Sequence, residues 1–272
     1  MYLSKLASNL LVAATLSLVV GSAHAVTVAG VTWDENSLFD FGAQSIQFGT
    51  VALNAGDMLQ GYGRFTALNA DSGFCAGCEL TYVFSGYTLN TSITSSPNTP
   101  FYLSGGSVRV YVDTSKDFNA ANPASAANGL LWLDLVGADP LAQGHTLLGS
   151  TTIPNSRGIA GYGAGYMDVV GGLAQSYLDT NGEIGGSDFL FTTSFQPLKK
   201  PVVQGGVAYT HFGGAEISGV TAVPEAETYA MMIAGLGLVG FVARHRVMGQ
   251  LDFGRIKHGK HKQCERAAIN NG

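Results

Sequence analysis

Charge is scarce in this chain: Asp, Glu, Lys and Arg make up only 12% of its 272 residues, and Lys and Arg together number 14. Between residues 26 and 222 fifteen acidic residues face six basic ones, a net of −9. A body of that sign excludes nucleic acid as a partner, since phosphates are neutralised by a basic face. Cysteine is scarcer still, with Cys75, Cys78 and Cys264 the full complement. No second Cys pair and no His pair stands at ligand spacing, so a closed zinc site lacks its other half. Only His145 and His211 fall within residues 26–222, leaving a histidine-based triad two candidate bases. There is no G-x-S-x-G elbow, no H-E-x-x-H and no Walker loop. No repeat of fixed period is present, which argues against solenoids and propellers.

At the N-terminus, Lys5 precedes the apolar stretch of residues 10–20, followed by Ala23-His24-Ala25. That is the n-region, h-region and A-x-A order of a secretory signal peptide, residues 1–25, with the cut expected before Val26. The remaining 26–222 is long enough for one sizeable core. It is rich in Gly, Ser, Thr, Asn and aromatics and poor in Lys and Glu, a composition of strands and turns. Val108, Val110 and Val112 alternate with Ser107, Arg109, Tyr111 and Asp113, and Leu80, Tyr82 and Phe84 repeat the pattern. Residues 45–53, 58–68, 130–136, 188–195 and 206–218 read likewise. Residues 115–128, interrupted by Pro123, suggest a broken helix or long loop, and 172–179 two helical turns with Leu173 and Tyr177 on one face. The expected fold is all-β, an antiparallel sandwich or jelly-roll.

Several clusters carry possible chemistry. In an oxidising compartment Cys75 and Cys78 are most simply a small disulfide loop; a redox pair, a metal site or free thiols are the alternatives. Asp113, Ser115, Asp117 and Asn119 offer alternate oxygens, as a structural calcium loop would, but Phe118 occupies the glycine position of an EF-hand and no Glu closes the loop. Residues 179–183 form a weaker oxygen cluster, and turn chemistry accounts for both. A glycoside hydrolase would need two carboxylates, with Asp34, Glu35, Asp134, Asp139, Asp168 and Glu216 as candidates. Tyr87, Tyr102, Tyr111, Tyr162, Tyr166 and Tyr209 could stack on sugars or simply pack in strands.

Beyond residue 222 the pattern changes. Val223-Pro224-Glu225-Ala226-Glu227-Thr228 leads into fifteen uncharged residues, 229–243, and then Arg244-His245-Arg246. The run is shorter than the roughly 20 residues of a relaxed membrane helix, and Gly235, Gly237 and Gly240 lie within it. The basic pair behind it would stay cytoplasmic, leaving residues 26–222 outside. These parts, residues 223–246, resemble the PEP-CTERM sorting signal. The resemblance implies recognition by exosortase, a membrane-embedded cysteine transpeptidase, with Val223, Pro224, Glu225, Arg244 and Arg246 as sorting residues and none catalytic. Ala226 stands where the family has its second proline, and residues 247–272 continue as a basic, disordered tail beyond the usual end. The family setting implies a non-enzymatic surface or matrix protein of a Gram-negative bacterium, active in biofilm or floc formation with exopolysaccharide. A secreted carbohydrate-binding module or glycoside hydrolase is the rival reading.

Overall fold

A computed structural model of the protein describes residues 25–34, 37, 40–93, 97–152, 158–222 and 234–239. Ala23, Val223, Pro224, Glu225, Arg244, Arg246 and the 247–272 tail lie outside the described residues. Two compact units divide at residue 222. In the second, residues 234–239 are helical with Leu236, Leu238 and Val239 exposed. Among the described residues no helix is long and apolar enough to cross a membrane.

The first unit is built almost wholly of antiparallel strands. A short hairpin, β1 (Ala25–Val28) and β2 (Val31–Asp34), comes first. The main sheet follows as β3 (Phe41–Gly49), β4 (Met58–Leu68), β5 (Glu79–Leu89), β6 (Pro100–Asp113), β7 (Leu130–Ala138), β8 (Leu147–Thr151), β9 (Gly161–Gly171), β10 (Phe189–Gln204) and β11 (Val207–Gly219). Each pairs with its chain neighbour or near neighbour. β7 and β8 share one position, both lying between β6 and β9. β10 pairs with β9 as well as with β11, and β11 returns to β3. The sheet therefore closes on itself through eight strand positions. Its two halves face each other as in a sandwich, without free edges at the sides, and the hairpin-to-hairpin order is not that of a jelly-roll.

Alternation explains the wall. In β3 the buried side chains are Phe41, Ala43, Ser45 and Gln47, every second residue. In β5 the inward row is Leu80, Tyr82 and Phe84, then Tyr87 and Leu89. β6 mirrors it with Phe101 and Leu103, then Val108, Val110 and Val112. The parity changes at Gly86 and at Gly105–Gly106, all with positive φ, a conformation glycine adopts without strain. Outside, the wall carries Arg64, Arg109, Asp134, Asp168 and Glu216. An apolar interior inside a charged exterior is the reverse of a membrane-spanning barrel.

One end of the barrel is sealed. Trp33 packs edge-on against Phe41, Trp132 and Tyr177, each at 5.9 Å between ring centres. The Trp132 indole Nε1 donates to the Val28 carbonyl at 3.1 Å, tying the β1–β2 hairpin across the opening. The short helix α1 (Gln175–Leu178) adds the fully buried Leu178. It starts after Leu173, which is exposed while Tyr177 packs against the core, so the two do not form the single helical face expected. Residues 115–128 form a loop with one 3₁₀ turn at Pro123–Ala126, where the proline ring suits the first turn.

Candidate functional site

The other half of the barrel is hollow. A cavity of about 100 Å³ is lined by Gln47 on β3, Phe65 on β4, Tyr82, Tyr87 and Leu89 on β5, Leu103 on β6, Met167 on β9 and His211 on β11, among others. None of the sealing residues Trp33, Phe41, Trp132 or Leu178 borders it. The wall is thin where aromatic rings lie over glycines of the next strand. A Cβ at Gly61 would strike the Phe84 ring, and one at Gly106 the Tyr87 ring. Rings pressed flat against the sheet leave the lumen open.

Few polar groups reach this space. The Gln47 amide donates to the Thr193 hydroxyl and, at 3.4 Å each, to the Ser194 and Gly214 carbonyls. The Tyr82 hydroxyl meets Ser45 Oγ at 2.8 Å. His211 is buried; its Nε2 donates to the Ile159 carbonyl at 2.9 Å, and Nδ1 accepts from Thr210 Oγ1 at 2.8 Å. Burial holds its pKa below the ordinary 6.5, only partly offset by the Ile159 bond, so the ring is neutral at pH 7. The Tyr87 hydroxyl, buried with 3% of the residue exposed, has no hydrogen-bond partner among the described residues. Its pKa is raised, as is that of Tyr82, because burial disfavours the phenolate. Tyr87 is thus an interior residue that packs in its strand, the second of the two roles the sequence left open. Of the other tyrosines so considered, Tyr162 is exposed, Tyr102 packs on the His145 ring at 4.7 Å and Tyr209 on Tyr62 at 4.9 Å.

At the sealed end Cys75 and Cys78 are joined as a disulfide, with Cα atoms 5.0 Å apart. Thr32 N donates to the Phe74 carbonyl at 2.8 Å, so this loop braces the β1–β2 hairpin. The neighbouring oxygen cluster differs from the expected one. Asp113, Asp117 and Glu79 bring carboxylate oxygens within 4.8 Å of one another. Glu79 was not anticipated; it meets Asp113 because β5 and β6 pair these two residues. Ser115 turns its hydroxyl and backbone N–H onto Asp113, holding that carboxyl below its usual pKa. Asn119 Oδ1 accepts from Ala121 N at 2.9 Å. The three carboxylates suit a hard cation, yet Arg64 already stands 3.9 Å from Glu79, and Phe118 N donates to Glu79 Oε1 at 2.7 Å.

Of the carboxylates weighed for glycoside hydrolysis, Glu35 lies outside the described residues, and Asp134 and Asp139 are engaged separately. Asp134 pairs with Arg109 at 3.7 Å, and Asp139 accepts from Gln143 N and Gly144 N at 2.8 and 2.7 Å. Asp168 has a raised pKa from burial and from the charges of Asp188 and Asp179. Buried Asp188 is itself spent on three backbone N–H groups, of Val169, Thr180 and Asn181. The 179–183 oxygen cluster is therefore shaped by a carboxylate outside it.

No curated protein and no solved structure matches the chain. One family does: the PEP-CTERM protein-sorting motif matches residues 222–247, where Pro224, Glu225 and the basic pair Arg244 and Arg246 lie. Residues 222–247 thus carry a PEP-CTERM protein-sorting motif, which implies export and membrane-anchored sorting of the chain as an exosortase substrate in a Gram-negative bacterium.

Proposed function

We propose that this chain is a non-enzymatic passenger displayed at the cell surface or in the extracellular matrix, where it serves biofilm or floc formation together with exopolysaccharide. Residues 1–25 act as the signal peptide, cut after Ala25; β1 then keeps Val26–Val28 for its hairpin. Residues 229–243 lodge in the inner membrane until exosortase acts near Pro224 and Glu225. Residues 247–272 extend as a basic tail at the cytoplasmic membrane surface. The sorting motif at residues 222–247, behind an acidic β-rich body, carries this reading. The Cys75–Cys78 disulfide supports it, since such bonds persist in oxidising compartments. Deleting residues 223–272 tests it. The truncated protein is expected free in the medium or periplasm, while the full chain fractionates with the envelope or matrix. Identical fractionation of the two forms would overturn the sorting role. Loss of flocculation on deleting the whole gene, restored by the full chain and not by the truncation, would tie sorting to the matrix.

A further inference from the structure

We propose that the barrel interior binds a neutral, elongated aliphatic molecule carrying a hydrogen-bond-accepting oxygen. Eight strand positions give a barrel whose interior is either filled by side chains or holds one small ligand. Here the sealed half is filled and the other half is not. The cavity measures about 100 Å³, and by the same measure one water needs about 10–15 Å³, so roughly seven to ten water-sized groups fit. Its lining runs from His211 to Ile217 along β11, six steps or about 20 Å of strand, which favours a chain over a compact ring.

The lining is apolar, so a hydrocarbon gains there both from leaving water and from the contacts the wall lacks. Tyr87 specifies more. A hydroxyl this deeply buried ordinarily has a partner, and among the described residues it has none, so the ligand is assigned the accepting oxygen. Charge decides the head group. Among the described residues no Asp, Glu, Lys or Arg lines the cavity, and His211 is neutral. An ionised carboxylate would lose its hydration with no counter-charge to replace it. Ketones, esters and alcohols meet the requirement; free fatty acids at neutral pH do not.

The test uses the mature protein purified from its host without detergent. Radiolabelled decane, a neutral linear probe of about ten heavy atoms, should bind at one per chain and be displaced by 2-decanone but not by decanoate at pH 7.5. Y87F should weaken 2-decanone about five- to tenfold, as loss of one hydrogen bond would, and leave probe affinity unchanged. Met167→Trp fills the lumen and should abolish probe binding; Ala215→Leu, a smaller addition, should do the same in a protein whose circular dichroism matches wild type. Probe binding undiminished in a folded A215L, or no probe binding by wild type, would overturn the site. Equal displacement by decanoate, or an unchanged 2-decanone affinity in Y87F, would overturn the ligand class.

Discussion

The same strands pass through two unlike halves of one barrel. At the sealed end, Trp33 meets Phe41, Trp132 and Tyr177 edge to face, Phe41 stacks on Trp132 and tilts against Phe189, and the rings come from the hairpin, the wall and the helix. At the hollow end, Phe84 and Tyr87 lie flat over Gly61 and Gly106 and leave the middle empty. Composition does not separate the halves, since both are aromatic and apolar. The separation comes from where glycine sits beside a ring and where a capping segment crosses the opening. Stability is thereby concentrated at one end, and the other is left free to take a guest.

Removing Trp132 should break that division most severely. Trp132→Ala deletes the largest fully buried side chain and leaves the Val28 carbonyl without its donor. A loss of about 3–5 kcal/mol is expected from the cavity alone. Urea denaturation followed by circular dichroism reads it directly. A loss below about 1 kcal/mol would mean that the aromatic plug is not what holds the sealed end.

A finer comparison uses one strand. Leu80 and Leu89 both lie on β5, each 1% exposed, but only Leu89 borders the cavity. Leu89 already lacks partner atoms on one side, so it has less dispersion attraction to lose. Leu80→Ala is expected near the upper part of the usual range of about 3–5 kcal/mol, and Leu89→Ala nearer its lower end. Equal losses in urea titrations would indicate that the cavity is filled in solution or that Leu80 is as loosely packed as Leu89.

Much of the wall was legible in the sequence because period-two patterning survives in it. Residues 58–68 form a strand with the expected bounds, and Val108, Val110 and Val112 share the buried face. β8 and β9 were not foreseen. β9 contains Gly161, Gly163 and Gly165, whose missing side chains erase the alternation. Closure was hidden for a different reason: pairing between β9 and β10 is a register fact, and one chain's pattern does not say which edges meet. The cavity was hidden with it, and Tyr87 could not be told from a surface tyrosine. Glu79 went unnoticed beside Asp113 because their approach depends on β5–β6 register across 34 positions of chain. The sorting segment, by contrast, was readable as local sequence, since recognition there rests on contiguous residues.

The smallest effect expected distinguishes the halves by proton binding. Among the described residues lining the cavity, His211 alone has an ordinary pKa near neutrality, and the sealing residues Trp33, Phe41, Trp132 and Leu178 carry no such group. Its folded-state pKa lies below 6.5 because burial disfavours the imidazolium, whereas the unfolded chain binds the proton at the ordinary value. The unfolded state thus holds more protons just below pH 6.5, and stability falls there as pH drops. Above pH 6.5 the full stability is present; below the folded pKa the decline levels off. Melting temperature should therefore fall by a few degrees as pH is lowered from 7.5 through 6.5 towards 5. His211→Gln, whose amide can still donate to the Ile159 carbonyl, should remove that component of the slope while leaving the melt at pH 7.5 near wild type. An H211Q protein that keeps the wild-type slope would place the responsible proton elsewhere.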